Sequence, residues 1–177
     1  MKITRVMVVV TILALVLSGC GGKKTGEEVQ KIEVRQNELT GKMMNYTEVA
    51  NYVGDVDGDG NDETIILSTS AEKNGNEFMW NDGQDWALYV KDTENRGYIF
   101  YHGFVQAGSV NFEVSDYYFE NETVPKVTVT VSSGTNLSIK NFTFDKKNQF
   151  FVQEVIYDSS KVTKHGINRR FTSVPSL

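Results

Sequence analysis

The stretch Trp86–Phe104, WALYVKDTENRGYIFYHGF, sets two runs of alternating side chains around a polar tetrapeptide. Trp86, Leu88 and Val90 fall on one side of an extended chain, and Ala87, Tyr89 and Lys91 on the other. Successive residues of a strand point to opposite faces, so this pattern predicts a half-buried strand. Glu94, Asn95, Arg96 and Gly97 are turn residues, and the chain resumes as a second strand over Tyr98–Phe104.

The same period of two recurs on either side. Thr64–Leu67 reads as a buried strand, Val110, Phe112 and Val114 share one face, and Val127, Val129 and Val131 alternate with threonines and serine. Leu137–Phe144 and Phe150–Tyr157 follow, separated by Asp145–Asn148. Within Leu137–Phe144 the apolar phase slips between Ile139 and Phe142, which places both inside only if the strand bulges near Asn141. The expectation is a mainly β, single-domain, antiparallel meander of about seven or eight strands, built as a sandwich, a curved open sheet or a barrel. Glu27–Leu39 carries a weak apolar stripe, Val29, Ile32 and Leu39, that suits a short N-terminal helix. No internal repeat is visible.

The first residues bear on location. Lys2 and Arg5 precede the apolar run Val6–Leu17, too short for a permanent membrane span and built like a secretory signal. It ends in Leu17-Ser18-Gly19-Cys20, which looks like a bacterial lipobox, and Cys20 is the one cysteine of 177 residues. We therefore expect a lipoprotein signal peptide over 1–19, a lipidated tether over 20–26 and a β-rich domain over 27–177. Acyl chains on Cys20 would hold the mature protein on the extracytoplasmic side of a bacterial cell membrane. A single thiol allows no intrachain disulfide. Without Lys2 and Arg5 the chain has 16 basic against 23 acidic residues, a formal charge of -7, and nothing in that balance points to nucleic acid.

One stretch is unusually acidic: Gly54–Glu63, GDVDGDGNDE. With Asp55 as position 1, Asp57 stands at 3, Asp59 at 5, Asn61 at 7 and Glu63 at 9, while Gly60 occupies the sharp turn at 6. Odd positions of such a loop point inward, and Asp62 points out. Carboxylates with a backbone carbonyl among them suit a hard cation with six to eight oxygen ligands, calcium before magnesium. The loop is not an EF-hand, because position 12 is Ile66 where a bidentate glutamate belongs, and the chain runs into a strand.

An aspartate-glycine loop that leads straight into an apolar strand resembles the FG-GAP/VCBS-type calcium-binding repeat. The resemblance covers about Tyr52–Ser70 and implies calcium held by the side chains of Asp55, Asp57, Asp59 and Glu63 and the carbonyl of Asn61. Glu63 stands where that family more often has aspartate.

Other residues carry less chemistry. Phe78, Trp80 and Trp86 surround Asn81–Asp85 and form a candidate platform for sugar rings or a partner. His102 and His165 are the only histidines, and neither has a triad around it in sequence. Asn-x-Ser/Thr at Asn45, Asn121, Asn136 and Asn141 reads as turn and strand polarity. The expected role is a non-catalytic, calcium-stabilised binding domain for a protein or an envelope polymer. The alternative is a cell-envelope enzyme, such as a carbohydrate-active hydrolase, with a site assembled from scattered residues. If Cys20 carries the anchor, Cys20→Ser should leave the precursor unprocessed or release the protein from the membrane fraction, read by fractionation and gel mobility.

Overall fold

The structure, a computed structural model, describes residues 31–93, 95–119 and 122–162. The expected signal peptide, Cys20, the expected tether, Asn121 and His165 lie outside the described residues. Two short strands open the described chain, β1 (Lys31–Val34) and β2 (Asn37–Glu38), followed by one helical turn, α1 (Gly41–Met44). Then come β3 (Thr47–Gly54), β4 (Glu63–Thr69), a small ribbon of β5 (Lys73–Asn74) and β6 (Glu77–Phe78), β7 (Gly83–Thr93) and β8 (Arg96–Gln106). β9 (Gly108–Phe119), β10 (Glu122–Ser133), β11 (Asn136–Asp145), β12 (Phe150–Asp158) and a last turn α2 (Ser159–Val162) complete it.

The long strands form two five-stranded antiparallel sheets, ordered β1-β12-β11-β10-β9 and β2-β8-β7-β4-β3. Each is a four-strand meander with one short N-terminal strand added at its edge. The two sheets pack face to face as a sandwich through one shared core: Ile65, Leu67, Trp86, Leu88, Val90 and Phe100 from one sheet meet Val110, Val127, Val129, Phe142 and Phe151 from the other. The rings of Phe100 and Phe142 stack at 4.3 Å, and Phe151 meets Phe100 edge-on at 4.9 Å. The expected alternation of Trp86, Leu88 and Val90 therefore sets this inner face. The bulge expected in β11 near Asn141 is corrected: β11 pairs with β10 without a shift, the extra residue is Ile156 on β12, and Phe142 faces the core while Leu137 does not.

The helix expected over Glu27–Leu39 is corrected, since Lys31–Val34 and Asn37–Glu38 are strands. β1 pairs with β12, Lys31 opposite Glu154 and Val34 opposite Phe151, and β2 pairs with β8. A lone helix with so few apolar residues would bury little, whereas an edge strand satisfies its backbone on a sheet already present. The helical turn lies just beyond, at α1, where Met43 is buried. With Leu39 and Tyr46, Met43 covers Ala87, Tyr89 and Ile66, so the middle of the second sheet is buried on its outer face too.

β8 passes to β9 through the single residue Ala107, held at φ 47°. Its N–H donates to the Asp82 carbonyl at 2.6 Å, and its carbonyl accepts from the Gly134 N–H at 3.2 Å. The β8–β9 corner, the β10–β11 turn and the β5–β6 ribbon thus share one end of the sandwich. Val56 and Asp57, from the β3–β4 loop, meet Thr123, Pro125 and Lys146 at the other end. Phe142→Ala should cost about 3 to 5 kcal/mol by core truncation. Ile156→Ala, at a half-exposed site, should stay within about 0.5 kcal/mol, both read from urea unfolding.

Candidate functional site

Three of the five residues expected to hold a cation come together. Carboxylate oxygens of Asp55, Asp57 and Glu63 lie within 4.8 Å of one another, in partly buried positions, so the cluster could hold a metal ion. β3 and β4 set the ends of this loop, because Gly54 pairs directly with Glu63. Between Asp55 and Asp57, Val56 is 1% exposed and belongs to the inter-sheet core. The alternation that sends Val56 inward sends its two acidic neighbours into the loop cavity. Glu63 Oε2 accepts from the Val56 N–H at 3.0 Å and closes the loop across its base.

Asp55 organises the backbone. Its Oδ1 accepts from the N–H of Gly58 at 2.6 Å and of Asp59 at 3.1 Å, and its Oδ2 from that of Gly60 at 3.0 Å. Gly58 and Gly60 have φ of 74° and 93°, a left-handed backbone that glycine adopts without a Cβ penalty. At Gly58 a Cβ would also collide with the Lys146 side chain, whose ammonium donates to the Gly58 carbonyl. Asp59 and Asn61 stand apart on the exposed side, where Asp59 Oδ1 accepts from the Asn61 N–H at 2.7 Å and its side-chain amide at 3.0 Å. Asp62 is exposed, as expected.

Burial pushes the Asp57 carboxyl above its ordinary value, and the charges of Asp59 and Asp55 push the same way against the Asp59 N–H and Lys146. Burial likewise raises Glu63, with Asp57, Asp59 and Asp55 adding to it and the Val56 N–H opposing. Crowded, partly desolvated carboxylates of one sign favour protons or a cation among them.

The aromatic residues also meet. Trp80 stacks nearly parallel to Phe78 at 4.9 Å and to Trp86 at 5.7 Å. Trp86 is 4% exposed and part of the core, whereas Trp80 is 53% exposed. The Trp86 indole N–H is buried without a hydrogen-bond partner.

Two further surfaces were not legible as sites in the sequence. On the outer face of the first sheet, Lys31, Tyr117, Lys126, Asn141, Thr143 and Glu154 line an open cleft of about 280 Å³. The Lys126 ammonium stands 5.3 Å over the Tyr117 ring. These residues belong to five different strands, so only sheet order joins them. On the outer face of the second sheet, Lys42 pairs with Asp85 at 2.8 Å. That hydrogen bond holds the Asp85 carboxyl below its ordinary value and the Lys42 ammonium above its own. His102 meets Tyr46 there, ring to ring at 6.3 Å.

Comparison with protein-family models, characterised proteins and solved structures gives no match for this chain. The acidic loop and the surfaces around it therefore carry the functional reading. Asp57→Asn keeps an acceptor for the Asp59 N–H, 3.0 Å away, while removing a partly desolvated charge. In chelator at neutral pH, Asp57→Asn should melt above the wild-type chain, measured by thermal unfolding.

Proposed function

We propose that this protein is a lipid-anchored lipoprotein of the extracytoplasmic bacterial membrane surface. In this reading its β-sandwich is a non-catalytic binding domain, stabilised by calcium, for an envelope polymer. The observation that carries it is the convergence of Asp55, Asp57 and Glu63 on one point of a loop that Val56 anchors in the core. Calcium is the cation we infer, because the donors are all oxygens and the geometry is that of an open turn rather than a closed octahedral cage. Asp59 and the Asn61 carbonyl complete the ligand set we propose, by a small closure of the glycine-jointed turn.

The metal stabilises and does not touch the polymer. The acidic loop lies at one end of β4 and the aromatic ribbon begins past the other end, about 20 Å away for a strand of this length. The polymer's binding surface in this reading is the outer cleft, where two ammonium groups, the Glu154 carboxylate, a tyrosine ring and amide and hydroxyl groups suit a hydroxyl-rich chain that carries both carboxylate and amino groups.

Calcium should bind at about 10⁻⁴ to 10⁻³ M, the range of extracellular sites. At ten times the dissociation constant it should add about 1.4 kcal/mol of stability. Calorimetric titration and melting with and without chelator check this: Asp57→Ala should abolish the response and Asp62→Ala should keep it. No heat and no stabilisation at millimolar calcium would overturn the metal reading. For the polymer, soluble peptidoglycan fragments should raise the melting temperature of the wild-type chain and leave that of Lys126→Ala unchanged.

A further inference from the structure

We propose that the end of the sandwich opposite the acidic loop rests on the bilayer, with the edge of Trp80 and the side chains of Met79 and Phe104 entering the lipid headgroup region. This deepens the anchored reading above and rests on it.

The first support is the surface itself. Met79 is 55% exposed, Trp80 53% and Phe104 63%. Trp80 and Met79 follow directly on the β5–β6 ribbon, tied down by the Met79 N–H donating to the Glu72 carbonyl at 2.8 Å. Phe104 reaches the same end, because its ring lies against Gly83, the first residue of β7.

The second support is how Trp80 is held. Phe78 and Trp86 both stack on it, at 4.9 and 5.7 Å, so the indole is clamped to the core through Trp86. Even so, 53% of Trp80 stays exposed. A rigid aromatic edge with an apolar body and an N–H suits the membrane interface, where tryptophan concentrates.

The third support is where the chain to the anchor arrives. β1 runs antiparallel to β12, from the level of Glu154 toward that of Phe151. The Phe150 end of β12 follows the turn whose Lys146 touches the acidic loop, so β1 points toward the loop and its first residue, Lys31, is on the aromatic side of Val34. Cys20 lies eleven positions before Lys31, a stretch that can span no more than about 40 Å. That reach lets the aromatic end meet the bilayer in which Cys20 is anchored. Glu72, Glu77 and Asp82 outnumber Lys73 at the same end, so the local charge is negative and suits zwitterionic rather than anionic headgroups.

Trp80 and Trp86 are the only tryptophans, which makes their fluorescence the test. The acylated full-length chain is reconstituted into phosphatidylcholine vesicles with or without bromine on the acyl chains. Brominated lipid should lower wild-type emission at least about two-fold, and should leave Trp80→Phe, which keeps only the buried Trp86, unquenched. A vesicle-bound chain with unquenched Trp80 overturns the docking and leaves the anchor standing. A chain that fails to sediment with vesicles overturns the anchor and the docking together. Equal quenching in Trp80→Phe also overturns the proposal, because the light would come from Trp86. So does Trp80 emission that ignores brominated lipid and responds to soluble peptidoglycan fragments, since the surface would then belong to a glycan.

Discussion

The seam of aromatic rings between the two sheets is the contact on which the rest of the molecule depends. Phe100 against Phe142, with Phe151, Tyr98 and Phe144 packed edge-on around them, joins large aromatic side chains of both meanders in one place. Rings at these separations add a directional term to area burial, so they set the spacing of the sheets as well as their attraction. The chain has one thiol and so no internal disulfide, which leaves this core to hold ten strands in two layers. The short edge strands, the helical turn and the loops are all attached to it.

The acidic loop illustrates that attachment. Taken alone, three carboxylates with oxygens within 4.8 Å repel one another, and a glycine-rich turn would spread to relieve them. Val56 prevents that by occupying the core, and the backbone N–H groups of Gly58, Asp59 and Gly60 converge on Asp55 to hold the turn in shape. Lys146, from a distant turn, supplies a positive charge beside the Gly58 carbonyl. The fold thus holds electrostatic strain at the loop, which a bound cation would relieve.

Both ends of the sandwich are specialised, and differently. The acidic end is polar and shaped by backbone donors, whereas the other presents a clamped indole and two more exposed apolar side chains. The middle of the second sheet is already covered on its outer face, because Leu39, Met43 and Tyr46 pack on Ala87 and Tyr89. The outer face of the first sheet stays open across five strands, and that openness is what makes its cleft available to a ligand.

The strands were legible because their signal is local. Trp86, Leu88 and Val90, or Val127, Val129 and Val131, need only the period of two to declare an inner face, and eight strands of seven or more residues match the expected number. The acidic loop was legible for the same reason, since its spacing and glycines sit within ten residues. β1, β2, β5 and β6 were not, because two to four residues hold no period and become strands only when an edge is there to receive them. Glu27–Leu39 shows the consequence: a weak helical stripe gave way to backbone pairing with β12 and β8. Which of Asp55, Asp57, Asp59 and Glu63 converge, which rings hold Trp80, and that Lys31, Lys126 and Tyr117 share a cleft were decided by tertiary structure alone. Each depends on the order of strands in a sheet and the packing of one sheet on the other, and residues far apart in the chain carry no local trace of that order.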